Sequence, residues 1–424
     1  MPLKDKIPTY ERSRLFLRAL GPGVIAGAAD DDPSGIGTYS IAGAQLGTSL
    51  LWTALVTWPL MAAVQMMCAR IGMVTGKGLA ANLQEKFPKS IMIVICFSLF
   101  LANTLNVGAD LSAMADAAEM LSGVSSHIWV FVFGVGIAWA TVTLRYFHIA
   151  RVLKWLSAFL LSYVAVALIV KPDWKEVLRN TFIPSFPTGK EEWATIVAIL
   201  GTTISPYLFF WQASQEVEEE KASGRDTLAK RVGATADEIM LRKFDVGIGT
   251  LFSNLVMFFI ILSTALTLHH HGLRDIQTTR QAAEALAPLA GRFASLLFTI
   301  GLIGVGFLAI PTLTGSAAYA LAETFDWGQG LDAKLNKAQA FYSVIIFSTI
   351  LGIGFDFAEV NPMKALYWSA VANGLLAPFL LVGIVLVASD HHIMQDQPSS
   401  RIGRITVWAT ALAMFAAAGA MFAL

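Results

Sequence analysis

Residues 27–37 read "GAADDDPSGIG", and three adjacent carboxylates, Asp30, Asp31 and Asp32, stand there inside an otherwise apolar stretch. An ionised carboxylate placed in hydrocarbon is costly unless something pairs with it. Pro33 has no amide hydrogen and biases Asp32 away from helix, while Gly27, Gly35 and Gly37 weaken helix on both sides. The pattern predicts a helix that breaks here. A second stretch, "LGTTISPYLFFWQ" at 200–212, sets Gly201, Thr202, Thr203, Ser205 and Pro206 midway through hydrophobic sequence and predicts another break. Backbone unwound at membrane depth survives only when it is buried in protein or lines a cavity. Its freed carbonyls, with one aspartate, would form an anionic, oxygen-rich site, and oxygen donors suit hard divalent cations. A metal ion would then compensate the carboxylate. Asp32, directly before the proline, is the expected ligand. Asp30 and Asp31 are expected at a water-filled vestibule or as caps of the second half-helix, whose N-terminus favours carboxylates.

The elements that must position these groups are membrane helices. Of 424 residues, 55% are hydrophobic and 14% charged, and the mean hydropathy of +0.61 belongs to an integral membrane protein. A formal net charge of zero offers no global attraction for nucleic acid. A bilayer-crossing helix takes about 20 apolar residues. Eleven runs qualify, at 18–46, 48–71, 91–113, 127–144, 152–170, 193–215, 246–267, 293–321, 338–355, 365–388 and 403–423, giving an all-α fold. Basic residues gather in alternate loops: Lys4, Lys6, Arg12, Arg14 and Arg18, then Arg70 to Lys89, Arg145 to Lys154, and Lys221 to Lys243. The first two opposite loops have none, so a multi-pass cell-membrane protein with cytoplasmic N-terminus and outside C-terminus is expected.

Smaller features carry quieter expectations. The 217–243 insert is expected to be a charged connector, and the run Glu216 and Glu218–Glu220 a solvated helix end. Cys68 and Cys96 are expected to be small buried hydrophobes, and His269–His271 an interfacial turn.

The two breaks fall in the first and sixth spans, corresponding positions if spans 1–5 and 6–10 are repeats, at about 18–170 and 193–388, with an additional helix at 403–423. Five is odd, so the repeats would be inverted, and paired broken helices point to a transporter's binding site. The chain has no GxSxG elbow, phosphate loop or dinucleotide glycines in a strand context, and no enzyme is expected. The readings of another class are a sodium-coupled organic-solute carrier and a membrane-embedded enzyme.

"DDPSG", "LLWTALVTWPLMAAVQMMCARIGMVTGKGLA", "RYFHIARVLKWL", the "ISP" break and "VNPMKALYWSAVANGLLAPF", in that order, resemble the Nramp divalent-metal transporters. The resemblance implies a LeuT-like fold of eleven spans, with a divalent cation as transported substrate and no cofactor. A monomer in the lipid bilayer is expected. The family's Asp-Pro-Gly-Asn reads Asp32, Pro33, Ser34, Gly35 here, keeping the acid and replacing the asparagine ligand by Gly35. Its Ala-x-x-Met-Pro-His reads Thr202 to Tyr207, with Ser205 for methionine and Tyr207 for histidine. The carbonyls of Ala29 and Thr202 and the Ser205 hydroxyl complete the ligand set that the resemblance implies. Asp110 matches a span-3 aspartate and is read either as a proton relay or as a polar group satisfied in the bundle, with Asp31 and Tyr207 as further relay or vestibule groups. Ala113 and Ala370 replace an acid and a glutamine common in the family. Losing the thioether leaves a harder, roomier site, suited to partly hydrated magnesium. These departures resemble the Nramp-related magnesium transporters, so Mg2+ is favoured, with Mn2+ also carried. The alternative is a proton-coupled Mn2+/Fe2+ importer.

Overall fold

A computed structural model of the chain describes residues 22–144, 157–186, 188–358 and 360–424. The N-terminal basic cluster, and Arg145, Arg151 and Lys154 within "RYFHIARVLKWL", lie outside the described residues. The first span is two helices, α1 (Pro22–Asp30) and α2 (Pro33–Leu46), followed by α3 (Leu51–Thr75), α4 (Lys89–Ser122), α5 (Ser126–Thr143) and α6 (Ser162–Val170). The sixth is again two, α7 (Lys190–Thr203) and α8 (Pro206–Ala222). After it come α9 (Ala236–Thr267), α10 (Ala294–Thr324), α11 (Gln339–Asp356), α12 (Pro362–Ser389) and α13 (Arg401–Ala423).

Nine helical stretches among the described residues are long and apolar enough to cross a bilayer. One of them, Pro33–Thr75, runs 43 residues, about twice a crossing, and divides at Gly47, where φ is +58°. With the shorter apolar helix Phe159–Val170, the eleven expected spans are accounted for. Contacts between helix ends agree with that number. Lys86 pairs with Asp390, Arg70 Nε donates to Gln397 O at 3.2 Å, Ala81 N to Glu323 Oε2 at 3.1 Å, and Gly233 N to Val74 O at 2.8 Å. On the opposite face Asn180 Nδ2 donates to Thr48 Oγ1 at 2.8 Å, His269 Nδ1 to Ala44 O at 2.7 Å, and Asn361 Nδ2 to Gln277 O at 2.7 Å. Each contact joins ends that eleven crossings put on one side. His269–His271 is the turn expected, its rings bonded to carbonyls, and Cys68 and Cys96 are free and buried.

Each half of a broken helix leans on an unbroken one through glycines. A Cβ on Gly27 would lie 2.3 Å from Gly249 O, and one on Gly249 2.3 Å from Gly23 O, so α1 and α9 touch backbone to backbone. Likewise, Cβ atoms on Gly201 and Gly374 would meet Ala370 O at 2.1 Å and Val197 O at 2.3 Å, closing α7 on α12. Small residues let membrane helices gain dispersion contacts that lipid cannot replace.

The acidic run is not a solvated helix end. Helix α8 continues to Ala222, and Glu216 is 1% exposed. Arg242 of α9 explains this: its Nε donates to Glu216 Oε2 at 2.8 Å, Nη1 to Asp245 Oδ2 at 2.6 Å, and Nη2 to Glu219. A cation among them lets the carboxylates leave water. Asp245 in turn accepts from Gly23 N at 2.8 Å and Val24 N at 3.2 Å, tying down the first amides of α1. The connector shrinks to 223–235, not 217–243.

Gly27→Leu should lower the melting temperature in detergent sharply, because backbone cannot yield to the new side chain; overpacking typically costs about 1–3 kcal/mol. Gly136→Ala, whose Cβ meets nothing within 4 Å, should leave it unchanged or raise it. Arg242→Gln strands buried carboxylates and should cost about 3–5 kcal/mol, read by the same melt.

Candidate metal site

Both breaks follow one local rule. Proline opens α2 and α8, where its missing amide hydrogen is harmless, and the residues before it cannot continue the preceding helix. Asp32 is extended (φ −66°, ψ 171°) and caps α2, its Oδ1 accepting from Gly35 N at 2.7 Å. The cap considered for Asp30 and Asp31 therefore falls to Asp32. At the other break, Ser205 Oγ donates to Gly201 O at 2.9 Å and Thr202 O at 2.5 Å, satisfying carbonyls at the end of α7.

The breaks face each other. A Cβ on Gly35 would sit 3.2 Å from Thr202 Oγ1. Tyr207 OH donates to Ala29 O at 3.0 Å and reaches Asp32 Oδ2 at 3.5 Å. The structure thus brings Asp32, Ala29, Gly35, Thr202, Ser205 and Tyr207 together from two stretches far apart in sequence. Asp110 joins them through an intermediary: Asn106 Nδ2 donates to Asp32 Oδ2 at 3.2 Å and to Asp110 Oδ2 at 3.1 Å. Asn373 of α12 donates to Asn106 Oδ1 at 3.3 Å.

Sequence reasoning missed both asparagines. A signal existed for Asn106: a polar residue one helical turn before Asp110, on the same face of an apolar span. Asn373 offers none, since only packing brings α12 to α4. The backbone carbonyl of Ala370 lies in the tight α7–α12 seam.

Asp30 and Asp31 turn the other way. Ser253 Oγ of α9 donates to Asp30 Oδ2 at 2.6 Å and lies 3.2 Å from Asp31 Oδ1. Both are fully buried. Gln212, below the site on α8, is buried as well and donates to Glu216 Oε1 at 2.7 Å.

The donors assembled here are one carboxylate, backbone carbonyls, hydroxyls and side-chain amides. Among the described residues no group of three or more His, Cys, Asp or Glu is placed to hold a metal. Such a donor set suits an oxygen-loving cation.

Residues 23–424 match the family model described as natural resistance-associated macrophage protein-like, Nramp. The divalent metal cation transporter MntH of Caldanaerobacter subterraneus subsp. tengcongensis is 26% identical over 405 residues, covering 92% of this chain and 89% of that protein. MntH of Yersinia pestis is 27% identical over 312 residues, 71% of this chain and 72% of that one. The Eremococcus coleocola manganese transporter superposes with a TM-score of 0.75 at 17% identity, over 98% of this chain and 90% of that one. MhsT bound to L-phenylalanine follows at 0.58 and 14% identity, over 94% and 98%. The fold is therefore LeuT-like, and with the family match spanning nearly the whole chain, both broken helices included, this protein belongs to the Nramp family.

Proposed function

We propose that this protein carries divalent metal cations across a cell membrane by alternating access, holding the ion between the two helix breaks. The observation that carries this reading is the meeting of Asp32 and Ala29 with Tyr207 and Thr202 across those breaks. Family membership, and relatives described as divalent metal cation transporters, support it. Asp32 supplies the charge, the carbonyls of Ala29 and Thr202 and the Ser205 hydroxyl supply neutral oxygens, and Gly35, lacking a side chain, lets Thr202 come close to the first break. Asp110, Asp31 and Tyr207 are the candidate relay or vestibule groups. The working unit is a monomer of two inverted repeats, about 18–170 and 193–388, plus the helix at 403–423, with its N-terminus cytoplasmic. It needs no cofactor and catalyses no reaction.

The relatives favour a manganese-type ion, and the magnesium preference expected from the sequence finds no support in them. Magnesium stays as a second reading on one observation: Ser205 Oγ, bonded to Gly201 O and Thr202 O, stands where the family has a thioether. Either ion gains about 4.6 kcal/mol per 100 mV from an inside-negative potential, at about 2.3 per charge.

Asp32→Ala in proteoliposomes should reduce Mn2+ uptake to the protein-free background; uptake at the wild-type rate would remove the ion from this site. Ser205→Met should raise the Mn2+ over Mg2+ preference about tenfold, equivalent to about 1.4 kcal/mol, in a competition assay. An unchanged ratio would mean that residue 205 does not face the ion.

A further inference from the structure

We propose that Asn106 and Asn373 form a reversible amide pair that donates side-chain oxygen to the transported cation, replacing the asparagine and glutamine absent at Gly35 and Ala370. This rests on the reading that the ion binds at Asp32.

Asn106 and Asn373 are 0% and 1% exposed, on two unbroken helices. A primary amide holds two donor hydrogens and one acceptor oxygen, and leaving either end unsatisfied at membrane depth is costly. Asn106 turns its Nδ2 to both carboxylates, Asp32 and Asp110, and its Oδ1 accepts from Asn373 Nδ2. Its hydrogens thus face the carboxylates on the side that a bound cation would take. At the far end of the chain, Asn373 Oδ1 is buried with no partner.

A cation on Asp32 Oδ2 would press against those same hydrogens. Half a turn of the Asn106 amide removes the conflict, exchanging nitrogen for oxygen in nearly the same space and presenting Oδ1 to the ion. Asn106 Nδ2 then faces Asn373, whose idle Oδ1 becomes its acceptor once that amide turns as well. The hydrogen bond between the two survives with its direction reversed, so neither orientation strands the pair. The unpartnered oxygen on Asn373 is what makes the second orientation available. A residue needed only to link α4 with α12 has no reason to aim its donor at two carboxylates.

The test uses the full-length protein, with Mn2+ and Mg2+ affinities measured by calorimetry in detergent and uptake measured in proteoliposomes. Asn106→Leu should weaken Mn2+ binding by about tenfold or more, while Asn106→Asp, which keeps an oxygen but loses the donor, should stay within about threefold of wild type. Asn373→Leu should weaken binding, and adding it to Asn106→Leu should cost nothing further, because it acts through Asn106. Melting without metal identifies a variant that misfolds. If Asn106→Leu misfolds, Asn373→Leu and Asn106→Asp carry the test. Wild-type affinity in folded Asn106→Leu, or Asn106→Asp binding more weakly than Asn106→Leu, would overturn the proposal. Loss of binding in Asp32→Ala beside an unaffected Asn106→Leu would overturn it alone, while wild-type binding in Asp32→Ala would remove the site reading and the amide pair together.

Discussion

A backbone that leaves the helix inside a membrane must find other partners for its polar groups, and the rest of this structure answers that demand. Two prolines create the demand at Asp31–Asp32 and at Ile204–Ser205. Asp32 answers it for the amides opening α2, Ser205 for the carbonyls closing α7, and Tyr207 for the freed carbonyl of Ala29. Each uses a side chain from the breaks themselves. The bond from Tyr207 to Ala29 O crosses between the two interruptions and joins them face to face.

The half-helices are held by different means from the break itself. Glycine seams press α1 to α9 and α7 to α12, and a buried cluster around Arg242 secures the first turn of α1 through Asp245. Dispersion between backbones acts over short range, and a buried ion cluster loses most of its value once water enters it. Both kinds of contact favour docked or separated arrangements over intermediate ones. Contacts of this kind suit the proposed alternating access, in which helices move as bodies.

Four carboxylates divide the interior between them. Asp32 and Asp110 share the amide of Asn106, and Asp30 and Asp31 flank the hydroxyl of Ser253. In these bonds neutral amide and hydroxyl donors, not lysine or arginine, hold all four. The contrast with Glu216 and Asp245 marks a division of labour: permanent ion pairing at one end of α8 and α9, exchangeable neutral partners at the midpoint.

Hydrophobic runs, the helix breaks and the place of Asp32 at the first break were legible in the sequence because each rests on local chemistry: about 20 apolar residues to span a bilayer, and a proline without an amide hydrogen. The family resemblance located Thr202, Ser205 and Tyr207 by the same kind of neighbouring pattern. Other outcomes depended on what lay across the bundle. Nothing near Glu216 in the chain announces Arg242, so a glutamate read as part of a solvated run proved buried. Asp30 and Asp31 were separated from Asp32 by Ser253, more than 200 positions away, and Asn106 gained its role from Asp32 at a separation of 74 and Asn373 at 267. Local sequence determined where this chain unwinds, because backbone covalent geometry acts over a few residues; tertiary packing alone decided which polar groups meet there, because hydrogen bonds reach only about 3 Å and are blind to distance along the chain.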